Sequence, residues 1–352
     1  MLTVVPVPLG DRSYDILIGP LAESMDRLRR MLEGHSGLLA ADSNTIRCAG
    51  DLPEMPRWVF PAGEGSKTFA SAAALCGKAA QEHCDRSSVF VALGGGVTGD
   101  LTGFAAAIYM RGVKVVQIPT SLLAMVDSSV GGKTAVDLPE GKNLAGAFHQ
   151  PSLVLIDPAM LRSLPMRERV GALAEVLKYA VILDGEFFDF LEENAAALLS
   201  PEPDEVLFGK IIARCCAIKA DVVAKDETEQ GLRALLNYGH TFGHALELLS
   251  DFRLSHGEAV AVGMESAGHL ALHLGLWKPE ELERQRKLIT ALGLPLHPGF
   301  SADPDAVLSI MARDKKNRNG KWNLVLPSAI GTAQVVHGVD PDDCRMILEQ
   351  IL

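Results

Sequence analysis

The stretch "VFVALGGGVTGDLTGFAAA", residues 89–107, predicts how the first part of this chain folds. It begins with β-branched and apolar residues and ends in a helical pattern with Asp100 in its first turn. Gly94, Gly96 and Gly99 lie at the junction and match GxGxxG. A strand, a glycine turn and a helix start are typical of a phosphate site, because backbone amides and the helix N-terminus favour an anion. A tight turn that binds nothing is the alternative.

The acidic partner of a bound ribose is not where the usual dinucleotide fingerprint places it, about 20 residues further on. After Asp100 the next acidic residue is Asp127. Asp42 ends the earlier run "SGLLAAD", and Glu64 lies in "GEGSK". Both follow predicted strands, where α/β proteins place ligand groups. The sequence therefore leaves these two carboxylates as candidates.

Short β-rich runs alternate with helical patterns over the first ~150 residues, which indicates parallel α/β units. Strands are predicted at 14–19, 36–42, 57–60, 87–96, 113–119, 133–138 and 153–157, and helices at 21–33, 68–83 and 100–109. From residue 159 onward helical spacing dominates. The fold class is therefore α/β, with an N-terminal Rossmann-like parallel-sheet nucleotide-binding domain, residues 1–158, and a C-terminal all-helical domain, residues 159–352.

The composition narrows the class of protein. The chain has 352 residues, 48% hydrophobic and 22% charged, which favours a globular protein of two domains. Its net charge of −11 argues against nucleic acid as a main partner. No run approaches the ~20 apolar residues of a membrane helix, and the start lacks a signal-peptide pattern. Six cysteines without CxxC spacing are typical of reduced thiols, so we expect a cytoplasmic protein with no membrane partner.

A segment rich in glycine and lysine, "VDSSVGGKTAVDLPEGKNLAGAFHQP", spans residues 126–151. Lys133 and Lys142 flank a β-like run, and Asn143 follows. Flexible glycines beside lysines suit a phosphorylated ligand. A surface hairpin with solvated lysines is an equally weighted alternative. Arg111, after "IYM", either joins this group or lies at a subunit contact.

The helical half contains candidate metal ligands. "NYGHTFGHALE", residues 237–247, puts His240 and His244 four residues apart, on one face of a helix. Glu175 is a single acid in the apolar run "GALAEVLKYA", with Lys178 three residues later, and His256 precedes another apolar helix. The alternatives are that the histidines are hydrogen-bonded core residues, and that Glu175 and Lys178 form an ion pair with no catalytic role. Three such residues in one domain favour a metal, although the pattern does not decide between His240 and His244.

Taken together, a series of blocks resembles the 3-dehydroquinate synthase family. In chain order they are "GGGVTGDLTGFAAA", "YMRG", "QIPTSLLAMVDSSVGGKTAVD", "GKNLAGAFHQP", "AEVLKY", "LNYGHTFGHALE", "HGEAVAVGM" and "DKKNRNGK". The resemblance implies NAD+ and a divalent metal, zinc or cobalt. It implies conversion of 3-deoxy-D-arabino-heptulosonate 7-phosphate to 3-dehydroquinate and phosphate. The steps would be transient oxidation, phosphate elimination, reduction and intramolecular aldol closure.

The resemblance also implies site residues, so that domain 1–158 would bind NAD+ and domain 159–352 the metal and substrate. The metal ligands would be Glu175, His240 and His256. The NAD+ site would contain Asp42, Asn44, Glu64, Lys67, Gly95, Gly96, Val97, Asp100, Thr120, Ser121, Asp127, Lys142 and Ser163. The substrate site would contain Lys133, Asn143, Lys178, Lys219, Arg233, Asn237, His244, Arg111 and a lysine of "DKK", Lys315 or Lys316.

Five of these substrate residues are implied to be catalytic: Lys133, Lys178, His244, Asn143 and Arg111. His244 would face the substrate phosphate rather than the metal. Lys178, Lys219 and Arg233 would bind the substrate carboxylate and hydroxyls. Arg111 would reach the phosphate from a second subunit, which implies a homodimer.

Three other functions compete with this interpretation. A different sugar phosphate cyclase, such as 2-deoxy-scyllo-inosose or 2-epi-5-epi-valiolone synthase, would take a substrate without a carboxylate; Lys219 and Arg233 argue for a carboxylate. A net oxidoreductase of the glycerol dehydrogenase type would act on neutral polyols and have no use for these cations. A binding protein without catalysis would not need all three metal positions.

Overall fold

The structure is a computed structural model that describes residues 2–50, 52–251, 253–312 and 322–352. The strands are β1 (Thr3–Val7), β2 (Tyr14–Ile18), β3 (Gly37–Asp42), β4 (Arg57–Phe60), β5 (Val89–Gly94), β6 (Lys114–Pro119), β7 (Lys133–Leu138), β8 (Gly141–Phe148), β9 (Leu153–Ile156), β10 (Trp322–Ala329) and β11 (Thr332–Val339). The α-helices are α1 (Leu21–Leu32), α2 (Phe69–Gln81), α3 (Gly96–Ile108), α4 (Met166–Leu183), α5 (Gly185–Leu198), α6 (Glu205–Lys225), α7 (His240–Leu249), α8 (His256–His273), α9 (Pro279–Ala291), α10 (Pro304–Met311) and α11 (Pro341–Ile351).

The chain divides into two compact units. Unit 1 contains Met1–Pro165 and Glu205–Thr228, and unit 2 contains Met166–Asp204 and Glu229–Leu352. The boundary therefore lies at 165/166 rather than at the expected 158/159, and α6 belongs to unit 1 rather than to the helical half. An amphipathic pattern predicts a helix but does not say which core the helix covers, so the sequence could not show this return.

Within the described residues, unit 1 is built on a seven-stranded sheet with the order β1-β2-β9-β6-β5-β3-β4. All neighbours are parallel except β1 and β2. In the register, Val91 of β5 lies opposite Leu39 of β3 and Val116 of β6. β5, the strand that ends in the glycine turn, is thus central, as a near-continuous apolar run predicts for a parallel sheet.

Side chains of this sheet alternate between two cores. Leu38, Phe90 and Val115 pack in one cluster with residues of α2 and α3. Leu39 and Val91, one position away, pack in the other cluster with residues of α1. Since successive strand residues point to opposite faces, helices cover both sides of the sheet. This is the doubly covered α/β architecture that the alternating pattern predicts.

The run 133–138 is a strand, but it is not part of this sheet. β7 pairs antiparallel with β8 in a separate hairpin, with Lys133 opposite Phe148. The sequence analysis gave a surface hairpin as the alternative for this segment, and that prediction is confirmed for the local structure. Lys133, Lys142 and Asn143 are exposed on it.

Unit 2 is mainly helical, with α4, α5 and α7 to α11. The structure adds one feature to the predicted helical domain, the antiparallel hairpin of β10 and β11, which pairs Trp322 with Val339. No helix in the part of the chain that the structure describes combines the length and apolar character needed to cross a membrane.

Glycines let the helices of unit 2 approach closely. A Cβ at Gly257 of α8 would lie 1.9 Å from the carbonyl oxygen of Gly171 of α4. A Cβ at Gly263, also in α8, would lie 1.9 Å from the carbonyl oxygen of Gly239, which precedes α7. Real Cβ atoms do not approach an oxygen this closely, so only glycine permits these contacts. They hold the start of α8 against α4, and the start of α7 against the middle of α8.

Candidate functional site

Glu175, His240 and His256 converge in unit 2 from three helices. Glu175 lies within α4, whereas His240 and His256 are the first residues of α7 and α8. One ligand atom from each lies within 4.8 Å of the others. The Nε2 atoms of both histidines are 3.2 Å from Oε1 of Glu175. The structure thus brings together the three residues expected to hold a metal.

The start of α8 is fixed by local hydrogen bonds. The Ser255 side chain accepts from the Glu258 amide, and the Glu258 carboxylate accepts from the Ser255 amide, which forms a capping box. Arg167 of α4 adds an ion pair to Glu258, at 2.8 Å. These contacts tie His256, the first residue of α8, to the helix that carries Glu175.

Nδ1 of each histidine in the cluster faces an oxygen acceptor. Nδ1 of His240 lies 3.0 Å from the carbonyl oxygen of Tyr238. Nδ1 of His256 lies 3.3 Å from Oε2 of Glu247. A carbonyl or carboxylate oxygen only accepts, so each Nδ1 must carry the hydrogen. Both Nε2 atoms lie 3.2 Å from Oε1 of Glu175, which is also an acceptor, and a metal bound there would take the place of a hydrogen on Nε2.

The cluster stabilises positive charge. Burial disfavours the charged carboxylate, but Lys178 and His240 outweigh it and hold the pKa of Glu175 well below its usual range. Burial also opposes a charge on His256, yet hydrogen bonds to Glu175 and Glu247 raise the pKa of His256 to about 9. In contrast, burial lowers the pKa of His240 despite Glu175. The positive charge stabilised here is that of the His256 ring, which lies between the carboxylates of Glu175 and Glu247.

His244 is close to the cluster but is not one of its three ligand positions. Its ring centroid is 5.2 Å from that of His240 and 5.8 Å from that of His256. Burial, with repulsion from these two rings, lowers the pKa of His244 to about 3. A neutral imidazole at this position can donate or accept a hydrogen bond but adds no charge.

The donor set fits a divalent metal. Two imidazole nitrogens and one carboxylate oxygen are the ligands of catalytic zinc sites, which keep a further position open for water or substrate. Nδ1 of each ring contacts another oxygen, which leaves Nε2 for the metal, and the carboxylate is ionised. On these grounds the residues present suit zinc or cobalt, although the binding itself stays a prediction.

The glycine turn of unit 1 ends β5 and begins α3. A Cβ at Gly95 would lie 3.3 Å from Oγ of Ser121, and one at Gly96 would lie 3.2 Å from Oγ of Ser128. The turn is thus lined by small hydroxyl side chains, and a ligand can approach its amides. Val97 lies in the first turn of α3, whereas Asp100, expected in that turn, is the fifth residue of the helix.

Asp42 lies at the end of β3, the strand beside β5. Its Oδ1 accepts from the amides of Asn44 and Thr45, at 2.8 and 2.9 Å, and its Oδ2 accepts from Thr98 of α3 at 3.3 Å. The segment after β3 packs in the cluster that contains residues of α1, whereas the helix after β5 packs in the cluster that contains residues of α2. The chain therefore leaves β3 and β5 toward opposite faces of the sheet. Open α/β sheets bind ligands at such a point. The arrangement fits a dinucleotide at the turn.

Lys67 joins several of the predicted residues. Its buried ammonium donates to Oδ2 of Asp100, at 2.6 Å, and to Oδ1 of Asn143. Burial nevertheless raises the pKa of Asp100, because desolvation exceeds the effect of Lys67. Burial likewise raises the pKa of Glu64, whose carboxylate is 4.0 Å from the same ammonium. Asn143 has a left-handed φ of 55°.

Asp127 lies in a short π-helical turn, Ala124–Ser128, a feature often found at functional sites. Lys219 of α6 donates to its carboxylate at 2.6 Å and to its carbonyl at 2.7 Å. The amide of Thr120 donates to the carbonyl of Gly94 at 2.9 Å, which places Thr120 and Ser121 beside the glycine turn. Lys219 therefore belongs to unit 1, not to the helical half as expected.

The remaining expected residues are more scattered. Arg233 is buried in unit 2, and Asn237 donates to Glu229 at 2.9 Å. Arg111 is exposed, with a left-handed φ of 70°. Ser163 is exposed and bonded to the carbonyl of Met160, and no described contact joins it to the glycine turn. Lys315 and Lys316 lie outside the described residues.

The sequence analysis missed the residues that support the site. Glu247 and the Tyr238 carbonyl orient the histidines, and Asp137 accepts from the Asn143 amide at 2.8 Å. A signal for Glu247 was available: positions 240, 244 and 247 have the spacing i, i+4 and i+7 of one helical face. The Tyr238 carbonyl is a backbone group, so the residue type at position 238 gives no such indication.

The chain is similar to known proteins along its whole length. A family model described as 3-dehydroquinate synthase N-terminal matches residues 57–171, and one described as 3-dehydroquinate synthase C-terminal matches 172–317. The 3-dehydroquinate synthase of Nostoc sp. is 45% identical, over 100% of both chains. A 2-deoxy-scyllo-inosose synthase solved with carbaglucose-6-phosphate, NAD+ and Co2+ has a TM-score of 0.91 and 26% identity, over 99% of this chain and 100% of that one. A 2-epi-5-epi-valiolone synthase of Streptomyces hygroscopicus solved with NAD+ and Zn2+ has a TM-score of 0.87 and 30% identity, over 98% of each chain.

Proposed function

Because the chain belongs to the 3-dehydroquinate synthase family, we propose that it converts 3-deoxy-D-arabino-heptulosonate 7-phosphate to 3-dehydroquinate and phosphate. It is then a lyase of the shikimate pathway and of aromatic amino acid biosynthesis. The observation that carries the proposal is the Glu175–His240–His256 cluster, formed in a chain that matches this family along its whole length.

Two cofactors are part of the proposal. When bound, NAD+ takes up and returns a hydride, and a divalent metal acts as a Lewis acid on substrate hydroxyl oxygens. Similar enzymes have been solved with NAD+ and with Co2+ or Zn2+. We assign the metal to Glu175, His240 and His256 of unit 2, and NAD+ to the glycine turn of unit 1, with Asp42 as the first candidate for the ribose.

The protein's own groups would bind and orient a doubly anionic substrate. Lys178, Lys219 and Arg233 are buried cations, which suit a carboxylate and hydroxyls because a low-dielectric surrounding strengthens their attraction. Lys133 and Asn143 would contact the phosphate. His244, neutral because its pKa lies near 3, would supply a hydrogen bond there rather than a charge. Much of the rate enhancement would come from orientation and electrostatics.

Three finer points also stay proposals. Arg111 would reach the phosphate of a second subunit in a homodimer, and its exposed, left-handed position is compatible with that role. A lysine of the "DKK" segment, Lys315 or Lys316, would contact the same phosphate. A cytoplasmic location is supported by the six cysteines, which all lie within the described residues as free thiols.

A steady-state assay of phosphate release tests the function. We expect release from the heptulosonate phosphate to require NAD+, to stop with a chelator and to return with Zn2+ or Co2+. NADH should not accumulate, because the hydride is returned in each turnover. Net NADH formation without phosphate release would instead support a polyol dehydrogenase and refute the proposal.

A second sugar phosphate cyclase activity is the specific alternative, because the solved cyclases share almost the whole fold. Their identities of 26% and 30% are well below the 45% shared with a 3-dehydroquinate synthase. Sedoheptulose 7-phosphate, which lacks the carboxylate, separates the two activities. We expect it to react far more slowly than the heptulosonate phosphate.

A further inference from the structure

Glu247 is a buried carboxylate outside the expected site that contacts a candidate metal ligand. It lies on α7, seven residues after His240, and its relative exposure is 9%. Its Oε2 accepts from Nδ1 of His256, at 3.3 Å. The opposite nitrogen of the same ring, Nε2, is 3.2 Å from Oε1 of Glu175. His256 is therefore held between two carboxylates, one on each side.

The two candidate histidine ligands are supported in different ways. His240 donates to a neutral oxygen, the carbonyl of Tyr238, which the fold fixes because the Tyr238 hydroxyl donates to Gln285 at 2.7 Å. His256 donates to the carboxylate of Glu247. A carboxylate orients the ring as a carbonyl does, but its charge also makes the opposite nitrogen a stronger electron donor. The two ligands are thus not equivalent.

We propose that Glu247 is a positioning residue for His256, which fixes its Nε2 as a metal ligand and strengthens it through the negative charge of the carboxylate. The inference rests on the proposed function, since it assumes a divalent metal at Glu175, His240 and His256. Since Lys178 forms an ion pair with Glu175, Glu247 supplies a further negative charge to the cluster through His256. Glu247 itself would not contact the metal.

Zinc affinity, measured by competition with a chromogenic chelator, tests this proposal. We expect Glu247→Ala to weaken Zn2+ binding about 10- to 100-fold, the usual effect of losing such a partner. Glu247→Gln should weaken it less, because the amide oxygen still accepts from Nδ1 while the charge is lost. Unchanged affinity in Glu247→Ala overturns the proposal. If the alanine variant does not fold, unchanged affinity in Glu247→Gln overturns it instead.

A matched control is available on α8. Glu265, which is buried, accepts from His269 at 3.0 Å and from Arg286 at 2.7 Å, outside the cluster. Glu265→Gln should lower the melting temperature without changing zinc affinity. If it weakens zinc binding as much as Glu247→Ala does, the effect of Glu247 is general destabilisation, and the proposal is wrong.

A spectroscopic readout separates orientation from stability. In the zinc-loaded protein with ¹⁵N-labelled histidine, we expect His256 to show hydrogen on Nδ1 and metal on Nε2, and Glu247→Ala to lose this single tautomer. An unchanged tautomer in that variant contradicts the inference. Failure of the unsubstituted protein to bind zinc would refute the proposed metal site itself, so the two failures can be distinguished.

Discussion

Gly257→Ala tests whether the close contact between α4 and α8 sets the geometry of the metal cluster. The new Cβ would lie 1.9 Å from the carbonyl oxygen of Gly171, whereas real Cβ atoms essentially never come closer than 3.0 Å. The obstacle is backbone, so no side chain can swing away. The two helices must therefore separate by about 1 Å, since overpacked cores relax by shifting backbone.

That displacement exceeds what a metal site tolerates. α4 carries Glu175 and α8 begins with His256, and metal–ligand distances hold to about 0.2 Å. Losing one ligand should weaken zinc binding by more than the ~100-fold that loss of a supporting residue can cost. The free energy of unfolding should change less than the free energy of zinc binding. Overpacking costs about 1–3 kcal/mol, but alanine is more favourable than glycine in a helix by about 1 kcal/mol.

The reciprocal variant, Gly171→Ala, is the matched control. A Cβ there meets only Oγ of Ser255, at 3.5 Å, which is an ordinary contact. We expect it to keep zinc affinity and to gain up to about 1 kcal/mol of stability. Chelator competition gives the affinity, and urea unfolding followed by circular dichroism gives the stability. Full zinc affinity in Gly257→Ala would refute the argument that this contact sets the site.

Four further substitutions address separate parts of the site. His240→Ala should lose both metal and activity, whereas His244→Ala should keep the metal and lose rate; metal analysis and phosphate release measure the two effects. Lys67→Met should destabilise the protein by about 1–3 kcal/mol in urea unfolding, because the partly buried Asp100 loses its cation. Lys219→Ala should raise the KM for the heptulosonate phosphate and lower kcat/KM about 10- to 100-fold, since a hydrogen bond to a charged group contributes about 1.5–3 kcal/mol.

Each of these predictions has a contradicting result. Equal metal loss in His240→Ala and His244→Ala would show that both rings are ligands. For Lys67, the exposed Lys142 is the control: Lys142→Met should barely change stability, and an equal effect of both variants would argue against a buried ion pair. An unchanged KM in Lys219→Ala would show that this ammonium only holds Asp127.

The parts of the fold that follow from local pattern could be predicted from the sequence. A β-rich run, a glycine turn and a helical pattern follow one another directly in the sequence, and the structure forms β5, the turn and α3 there. Two of the missed strands contain a proline, Pro6 in β1 and Pro327 in β10. Proline removes a ladder donor and argues against a central strand, and β1 is indeed at the sheet edge. The partner of β7 depended on tertiary pairing, which periodicity does not show.

The candidate site was predictable only in its charged residues. Glu175 stood out as a single acid in an apolar helix and His256 stood out before an apolar run, but the spacing did not decide between His240 and His244. The glycine contacts that bring α4 and α8 together, and the carbonyl that orients His240, are properties of backbone geometry. Such contacts depend on how the backbone is arranged in space, so no residue type or spacing in the sequence predicts them.

The return of α6 to unit 1 has a consequence for how the chain is assembled during synthesis. A fragment that stops at Pro165 lacks the helix that packs on β1 and that supplies Lys219 to Asp127. On the ribosome, unit 1 therefore cannot be finished until Thr228 has emerged, after the stretch Met166–Asp204 has already been made. Dividing the gene at the first boundary should consequently yield an incomplete unit 1 and a second piece that contains all of unit 2 together with α6, cut off from the sheet that it covers.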